Sequence, residues 1–174
     1  MKLTAREVCI FGLLGALMYA SKAIMAVIPN VHLVGVFVVG ITCVYRKKAL
    51  YPIYIFVLIT GLLDGFGTWW VPYLYIWLPL WGGAMLLPRK LIGTMKLLLC
   101  MLVCSLHGFL FGILYAPAQA LMFGLDFEGM VAWIVAGLPF DIAHGIGNFF
   151  GGLLIYPIIN VLKQTEKKGW NKAD

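Results

Sequence analysis

Charged residues are scarce in this chain of 174 residues, at 11% against about 25% in a typical soluble domain. Hydrophobic residues make up 63%, and long polar stretches are lacking. A soluble core of this size cannot hide so much apolar surface, so the composition predicts an integral membrane protein. The net charge of +6 would suit nucleic acid. However, the basic residues fall between hydrophobic runs, where membrane topology explains them.

Common motifs of catalysis and metal binding are also missing. The chain has no H-E-x-x-H, no G-x-S-x-G, no Walker A sequence and no C-x-x-C pair. The sequence therefore predicts a protein that is not an enzyme, binds no metal or cofactor and does not itself hydrolyse ATP. Two alternatives stay open: a structural membrane subunit without a ligand, and a metal-dependent intramembrane enzyme or metal transporter. The second would use Asp64 or Asp141 with the three histidines: His32, His107 and His144.

Hydrophobic runs predict a single all-α membrane domain over residues 1–174. A spanning helix needs about 20 mostly apolar residues. Six runs approach that length, and the second, third and fourth are short enough to be tilted, broken or sunk in the bundle. The predicted spans are 7–28, 33–46, 49–64, 72–88, 94–116 and 138–162.

The distribution of positive charge predicts the orientation of these spans. With six spans, all but one of the 13 Lys and Arg residues fall on one side, and the positive-inside rule makes that side the cytoplasm. Both termini are then cytoplasmic, and the loops around 29–32, 64–71 and 117–137 face outward. The cations on the cytoplasmic side are Lys2, Arg6, Arg46, Lys47, Lys48, Arg89, Lys90, Lys96, Lys163, Lys167, Lys168 and Lys172.

Three polar residues in "GLPFDIAHGIGN" are costly in an apolar setting and need an explanation. Pro139 fits the first turn of a helix, which places Asp141 near the favourable end of the helix dipole. Asp141, His144 and Asn148 are spaced i, i+3 and i+7, so they share one helix face. That face is expected to meet the bundle interior or a wet cavity, either as a ligand site or as a packing network.

Two further ionisable residues lie in predicted spans. Lys22 is the one cation away from the cytoplasmic side. It either snorkels outward, pairs with an acid in the bundle, or serves as counter-ion to an anionic ligand group. His107 lies in the middle of the fifth span, as a hydrogen-bonded packing residue or as part of a site.

The outer loops are rich in aromatic residues. The stretch "DGFGTWWVPYLYIW" follows the third span and begins with Asp64. Its rings suit either an interfacial belt or a stacking wall for a flat ligand, and the nearby acid favours the wall for Trp69, Trp70 and Tyr73. The third outer loop, 117–137, is long for a bundle and is expected to be a partial helix, a lid or a plain connection.

The first span carries small residues at intervals of four in "GLLGALMYASKA": Gly12, Ala16 and Ala20. Such a ridge lets another helix approach closely, within the chain or from a partner. Together with "GLPFDIAHGIGN" and the six predicted spans, this pattern resembles the S component of energy-coupling factor (ECF) transporters, the subunit that captures vitamins for bacterial uptake. The motif "ALMYA" is similar to the A-x-x-x-A ridge of that family.

The resemblance implies a function and a set of partners. It implies a location in the bacterial cell membrane and capture of a small vitamin or precursor near the outer surface. It implies that Gly12, Ala16 and Ala20 dock a transmembrane T component, which couples to two cytoplasmic ATPases. It also implies a pocket formed by Asp141, His144 and Asn148, with Trp69, Trp70 and Tyr73 as ring contacts. Asp64, His107 and Lys22 complete the candidate binding residues.

Overall fold

A computed structural model describes residues 3–27, 32–88 and 93–170 of the chain. Every regular element within those ranges is a helix, which confirms the all-α prediction. The predictions for Lys2, Arg89, Lys90, Lys172 and residues 28–31 fall outside the described residues. The α-helices are α1 (Ala5–Ile24), α2 (Val34–Tyr45), α3 (Leu50–Asp64), α4 (Trp77–Leu86), α5 (Gly93–Phe109), α6 (Phe111–Phe123), α7 (Phe127–Gly151) and α8 (Ile155–Trp170).

Four short 3₁₀ helices extend or join these elements: Met25–Val27, Arg46–Ala49, Thr68–Leu74 and Gly152–Leu154. With them, three helical stretches in the described part of the chain are long and apolar enough to cross a membrane. They are Ala5–Val27 with 23 residues, Gly93–Phe123 with 31 and Phe127–Lys167 with 41. These stretches support the prediction of a membrane protein.

The short helix α2 lies at the centre of the bundle. It packs against α1, α4, α5 and α8. All of its residues from Val34 to Thr42 are buried. Because neighbouring helices surround it, its apolar residues are covered by protein along most of its length. This burial explains why a helix of only 12 residues can be hydrophobic all round.

Several of the cations predicted to be cytoplasmic lie at one end of the bundle. Arg6 donates to the carbonyl oxygen of Thr165, and Lys48 pairs with Glu7. Arg46, Lys96 and Lys163 line one cavity. We call this the cation end. The opposite end carries Lys22, in the last turn of α1.

The structure corrects the prediction for the last helix. Pro139 does not lie in a first turn, because α7 begins at Phe127 and contains Pro139 in its interior. Asp126 caps this helix by accepting a hydrogen bond from the Gly129 N–H at 2.7 Å. Asp141 therefore lies far from the positive end of the α7 dipole.

The segment 117–137, predicted as the third outer loop, is also different from a plain connection. Its residues form the second half of α6 and the first half of α7, joined by a turn at 124–126. Gly124 adopts a left-handed conformation with φ of 66°, which ends α6. The partial helix that was one expectation for this stretch is confirmed, in the form of a helical hairpin.

The α5–α6 pair runs antiparallel to α7. Their backbones approach most closely at Gly108 and Gly145, where a methyl group added to Gly108 would lie 2.8 Å from the Gly145 Cα. Next to this crossing, the Ser105 hydroxyl donates to the Gly145 carbonyl oxygen at 2.8 Å. Close approach at small residues is typical of membrane helices, and here it positions α7 side chains against α5 and α6.

Candidate functional site

The polar residues Asp141, His144 and Asn148 lie on one buried face of α7, as their spacing predicts. Their exposed fractions are 6%, 2% and 1%. The three side chains nevertheless meet three different neighbours, because α7 crosses several elements along this face. They do not form one hydrogen-bonded network.

Asp141 caps the start of α6. Its carboxylate oxygens lie 3.0 and 3.1 Å from the backbone nitrogen of Gly112, the second residue of that helix. The first N–H groups of a helix have no partner within the helix, and a carboxylate there is also favoured by the dipole. The carboxylate serves the N-terminus of α6 and not that of its own helix.

We expect Asp141→Ala to lower the free energy of unfolding by about 1–3 kcal/mol, because the buried Gly112 N–H loses its acceptor. Asp141→Asn keeps a side-chain oxygen at the same place and should retain most of the stability. Thermal unfolding of the purified protein in detergent measures both changes. Equal losses in the two variants would contradict the capping role.

Asn148 joins α7 to α5 and α2. Its amide nitrogen donates to the Cys104 carbonyl oxygen at 3.2 Å. Its side-chain oxygen is buried and has no partner among the described residues. Gly35 of α2 lies against the same amide group. Asn148 of α7 thus contacts both α5 and α2, and its side-chain oxygen is left without a hydrogen-bond donor among the described residues.

His144 belongs to a cluster of rings at the end opposite the cation end. The His144 ring centroid lies 4.8 Å from that of His32 and 4.8 Å from that of Phe111. His107 lies 5.7 Å from Trp77 and 5.9 Å from Phe111. These residues come from the segment before α2 and from four helices. We call them the ring cluster: His32, Trp77, His107, Phe111 and His144.

Several polar atoms of the ring cluster are buried without a partner among the described residues. They are Nδ1 of His32, Nδ1 of His107, Nε2 of His144 and Nε1 of Trp77. Buried polar groups are nearly always hydrogen-bonded, so exceptions need an explanation. Four exceptions in one group of touching rings mark this place as unusual within the bundle.

The hydrogen-bond roles of two of these atoms follow from their surroundings. His107 Nε2 lies 2.8 Å from the carbonyl oxygen of Ile76, which only accepts, so Nε2 carries the hydrogen. A charged imidazolium is costly in this apolar setting, so the ring is neutral and Nδ1 is an acceptor. The indole Nε1 of Trp77 is a donor only. The cluster therefore offers an unused acceptor beside an unused donor.

An aromatic chain leads from the ring cluster to the Thr68–Leu74 segment. Tyr73 lies 5.5 Å from Trp77, and Trp69 lies 5.7 Å from Tyr73, as ring centroids. Tyr115 donates from its hydroxyl to the Trp69 carbonyl oxygen. Trp70 instead packs against α3, where its Nε1 donates to the Val57 carbonyl oxygen at 2.8 Å. The structure brings Trp69 and Tyr73 to the cluster and places Trp70 elsewhere.

Lys22 and Asp64 form an ion pair beside this aromatic chain. Lys22 Nζ lies 2.7 Å from Asp64 Oδ2, and the Tyr19 hydroxyl donates to Asp64 Oδ1 at 2.7 Å. The ammonium also lies 5.6 Å from the centroid of the Trp69 ring. Of the three interpretations of Lys22, pairing with an acid is the one that the structure contains.

The small-residue ridge of α1 is partly exposed. The helix packs inward through Phe11, Leu14, Gly15 and Met18. Ala16 is exposed, and a methyl group added at Gly12 would have no described atom within 4 Å. Packing within the chain therefore uses Gly15. Of the ridge residues, Ala16 is exposed, whereas Gly12 and Ala20 are half-buried.

The cluster is closely packed in this structure. His107 lines a cavity of about 150 Å³ together with Leu110 and Leu114. Ligand sites commonly occupy about 300–1,000 Å³. Within the described ranges, no group of three or more His, Cys, Asp or Glu side chains has an arrangement that could hold a metal ion.

Comparisons with known proteins gave no assignment. The chain matched no protein-family model and no curated protein, and its fold matched no solved structure. Function is therefore argued from the geometry of the site and from the sequence pattern.

Sequence reasoning did not include His32, Trp77 or Phe111 among the binding residues. One signal was present: His32 ends the first predicted outer loop, and Trp77, His107 and His144 fall towards the outer end or middle of their predicted spans. A comparison of how deep the polar residues lie in successive predicted spans would have placed these four residues at a similar depth in the membrane. The unpartnered state of the ring atoms depends on contacts between distant segments and has no signature in the sequence.

Proposed function

We propose that this chain is the substrate-capture subunit of an ECF-type importer in a bacterial cell membrane. In this proposal it binds a small vitamin or related micronutrient at its outer face. It then delivers the substrate inward with a transmembrane T component and two cytoplasmic ATPases. The chain supplies the binding site, and the partners supply the energy.

The observation that carries the proposal is the ring cluster with its unpartnered buried nitrogens. Apolar rings with a few convergent polar atoms are the usual composition of a small-molecule site. The unused acceptor of His107 and the unused donor of Trp77 suit a flat heterocycle whose edge carries a donor next to an acceptor. Stacking on Tyr73 and Phe111 would add affinity without further polar groups.

The position of the cluster supports capture from outside. The cation end is cytoplasmic under the positive-inside rule, so the ring cluster lies towards the outer surface. The topology in this proposal has six spans and both termini in the cytoplasm. The α6–α7 hairpin and the Thr68–Leu74 segment then lie on the outer side. Because the cavity beside His107 is small, a vitamin-sized ligand binds only when the rings or these covering elements move apart.

The ridge of α1, which is exposed at Ala16, supports the partner part of the proposal. A strip of small residues on an apolar helix face allows a second helix to approach at short distance. Helix α1 contributes no residue to the ring cluster, so docking of a T component and binding of substrate would use separate residues.

The first test is mass spectrometry of ligand that co-purifies with the protein, followed by affinity measurement for that compound. Trp77→Phe keeps an aromatic ring and removes the indole donor, so we expect the affinity to fall about 10-fold or more. Trp81→Phe is the matched control, because its indole donates to the Arg46 carbonyl oxygen at the cation end. The control should bind the compound with unchanged affinity.

Two results would overturn the proposal. One is the absence of any bound compound together with no response of Trp fluorescence to a panel of vitamins and precursors. The other is an equal loss of affinity in Trp77→Phe and Trp81→Phe, which would show that the ring cluster is not the site. A stoichiometric metal lost in His144→Ala would instead favour a metal transporter.

A further inference from the structure

A separate cavity at the cation end has the composition of an anion site. It measures about 280 Å³ and lies between the ends of α2, α4, α5 and α8. Three of its lining residues are cationic, and none is acidic. The lining residues are Cys43, Val44, Arg46, Leu87, Pro88, Lys96 and Lys163.

Arg46 is held in an unusual backbone conformation at this cavity. Its φ is 54°, in the left-handed region that residues other than glycine rarely adopt. Its guanidinium donates to the carbonyl oxygens of Ala84 and Met85 at the end of α4, and its own carbonyl oxygen accepts from Trp81 Nε1 at 3.2 Å. The side chain is therefore fixed from both ends.

One donor of this fixed guanidinium is unused. Arg46 Nε is buried and has no hydrogen-bond partner among the described residues. A buried charged donor without an acceptor is costly, and an anion in the cavity would remove that cost. The atom is shielded from solvent, so an anion in the cavity reaches it only when the guanidinium turns.

Lys96 and Lys163 add two ammonium groups that have no carboxylate partner in the described part of the chain. The ion pairs there involve Lys22 with Asp64 and Lys48 with Glu7. The positive-inside rule explains why cations collect at this end. It does not explain why three of them line one cavity, since Lys47 in the same turn lines a different one.

We propose that this cavity binds a phosphate group. Arginine forks and lysine ammonium groups are the usual protein partners of phosphate, and three cations more than neutralise its charge. Val44, Leu87 and Pro88 give the same cavity an apolar wall. A phospholipid headgroup from the cytoplasmic leaflet and a soluble phosphate share this chemistry. The inference does not rest on the substrate of the ring cluster.

The test compares two double variants that lose the same charge. Lys96→Gln with Lys163→Gln removes two cations that line the cavity, and Lys47→Gln with Lys167→Gln removes two cations of the same end that do not line it. Binding of phosphatidylglycerol is measured by native mass spectrometry and by titration with nanodiscs of stated lipid content. Binding of inorganic phosphate is measured by calorimetry in a neutral detergent.

We expect the cavity variant to weaken binding about 10- to 30-fold and the control variant to change it less than threefold, since each lysine near a phosphate contributes about one kcal/mol. Loss confined to phosphatidylglycerol identifies a lipid headgroup, and loss of inorganic phosphate identifies a soluble ligand. Equal weakening in both variants would show a general charge effect and overturn the proposal. Absence of binding to either probe by the unmodified protein would also overturn it.

Discussion

Under the proposed function, replacing Ala16 with tryptophan is expected to abolish substrate uptake by cells that express the complete importer, while the isolated protein still folds and binds its ligand. Ala16 is exposed on α1, and the neighbouring ridge position Gly12 has open space around it. A large side chain there has room in the isolated chain but would keep a partner helix from approaching closely. Uptake of labelled ligand and affinity in detergent measure the two properties separately.

Gly15→Trp is the matched control, because it makes the same large side chain one residue away on the inward face. A methyl group added at Gly15 would lie 2.5 Å from Ile55 Cγ2 and 3.1 Å from the backbone nitrogen of Phe56. This variant should lose folded protein, and with it both binding and uptake. If Ala16→Trp lost ligand binding as well, or if it kept full uptake, the ridge would not be a docking surface.

The second large effect is expected at the crossing of α5 and α7. Gly108→Ala would bring a methyl group to 2.8 Å from both the Cα and the nitrogen of Gly145 and to 2.9 Å from the carbonyl carbon of His144. Backbone atoms cannot move aside as a flexible side chain can, so the helices must separate. We expect a loss of about 2–3 kcal/mol in the free energy of unfolding.

Gly137→Ala provides the control for this prediction. Gly137 lies in the same helix α7, and a methyl group added there has no described atom within 4 Å. Alanine is favoured over glycine in a helix, so this variant should keep or slightly raise the stability. Unfolding in detergent compares the two variants. An unchanged midpoint for Gly108→Ala would contradict the close backbone contact.

Much of the helix pattern followed from local sequence, whereas the boundary of α7 did not. The spacing of Asp141, His144 and Asn148 placed them on one face, and burial of that face followed from their polarity in an apolar chain. Pro139 misled the prediction, because proline suits both a first turn and the interior of a membrane helix whose neighbours satisfy the freed carbonyl groups. The capping residue Asp126, only 13 positions earlier, was the better signal for the start.

The candidate site could be predicted only in part, since its members come from segments far apart in the chain. His32 and His107 are separated by 75 positions, and no local pattern relates them. The partner of Asp141 was equally hidden, because a carboxylate that caps a different helix leaves no mark on the sequence around it. The ion pair of Lys22 with Asp64 was not predictable for the same reason, because each charge had several possible partners in the sequence.

The ion pairs at the two ends of α1 have a mechanical consequence. This helix is tied at one end by Lys22 to Asp64 and at the other by Glu7 to Lys48. Asp64 is the last residue of α3 and Lys48 lies just before its start, so the two ion pairs hold α1 and α3 together at both ends. Because α1 also packs along α3, we expect a tilt imposed on α1 from outside the bundle to move α3 with it. The segment that carries Trp69 and Tyr73 follows α3 in the chain. Such a tilt would therefore also shift these two rings, which connect to the ring cluster.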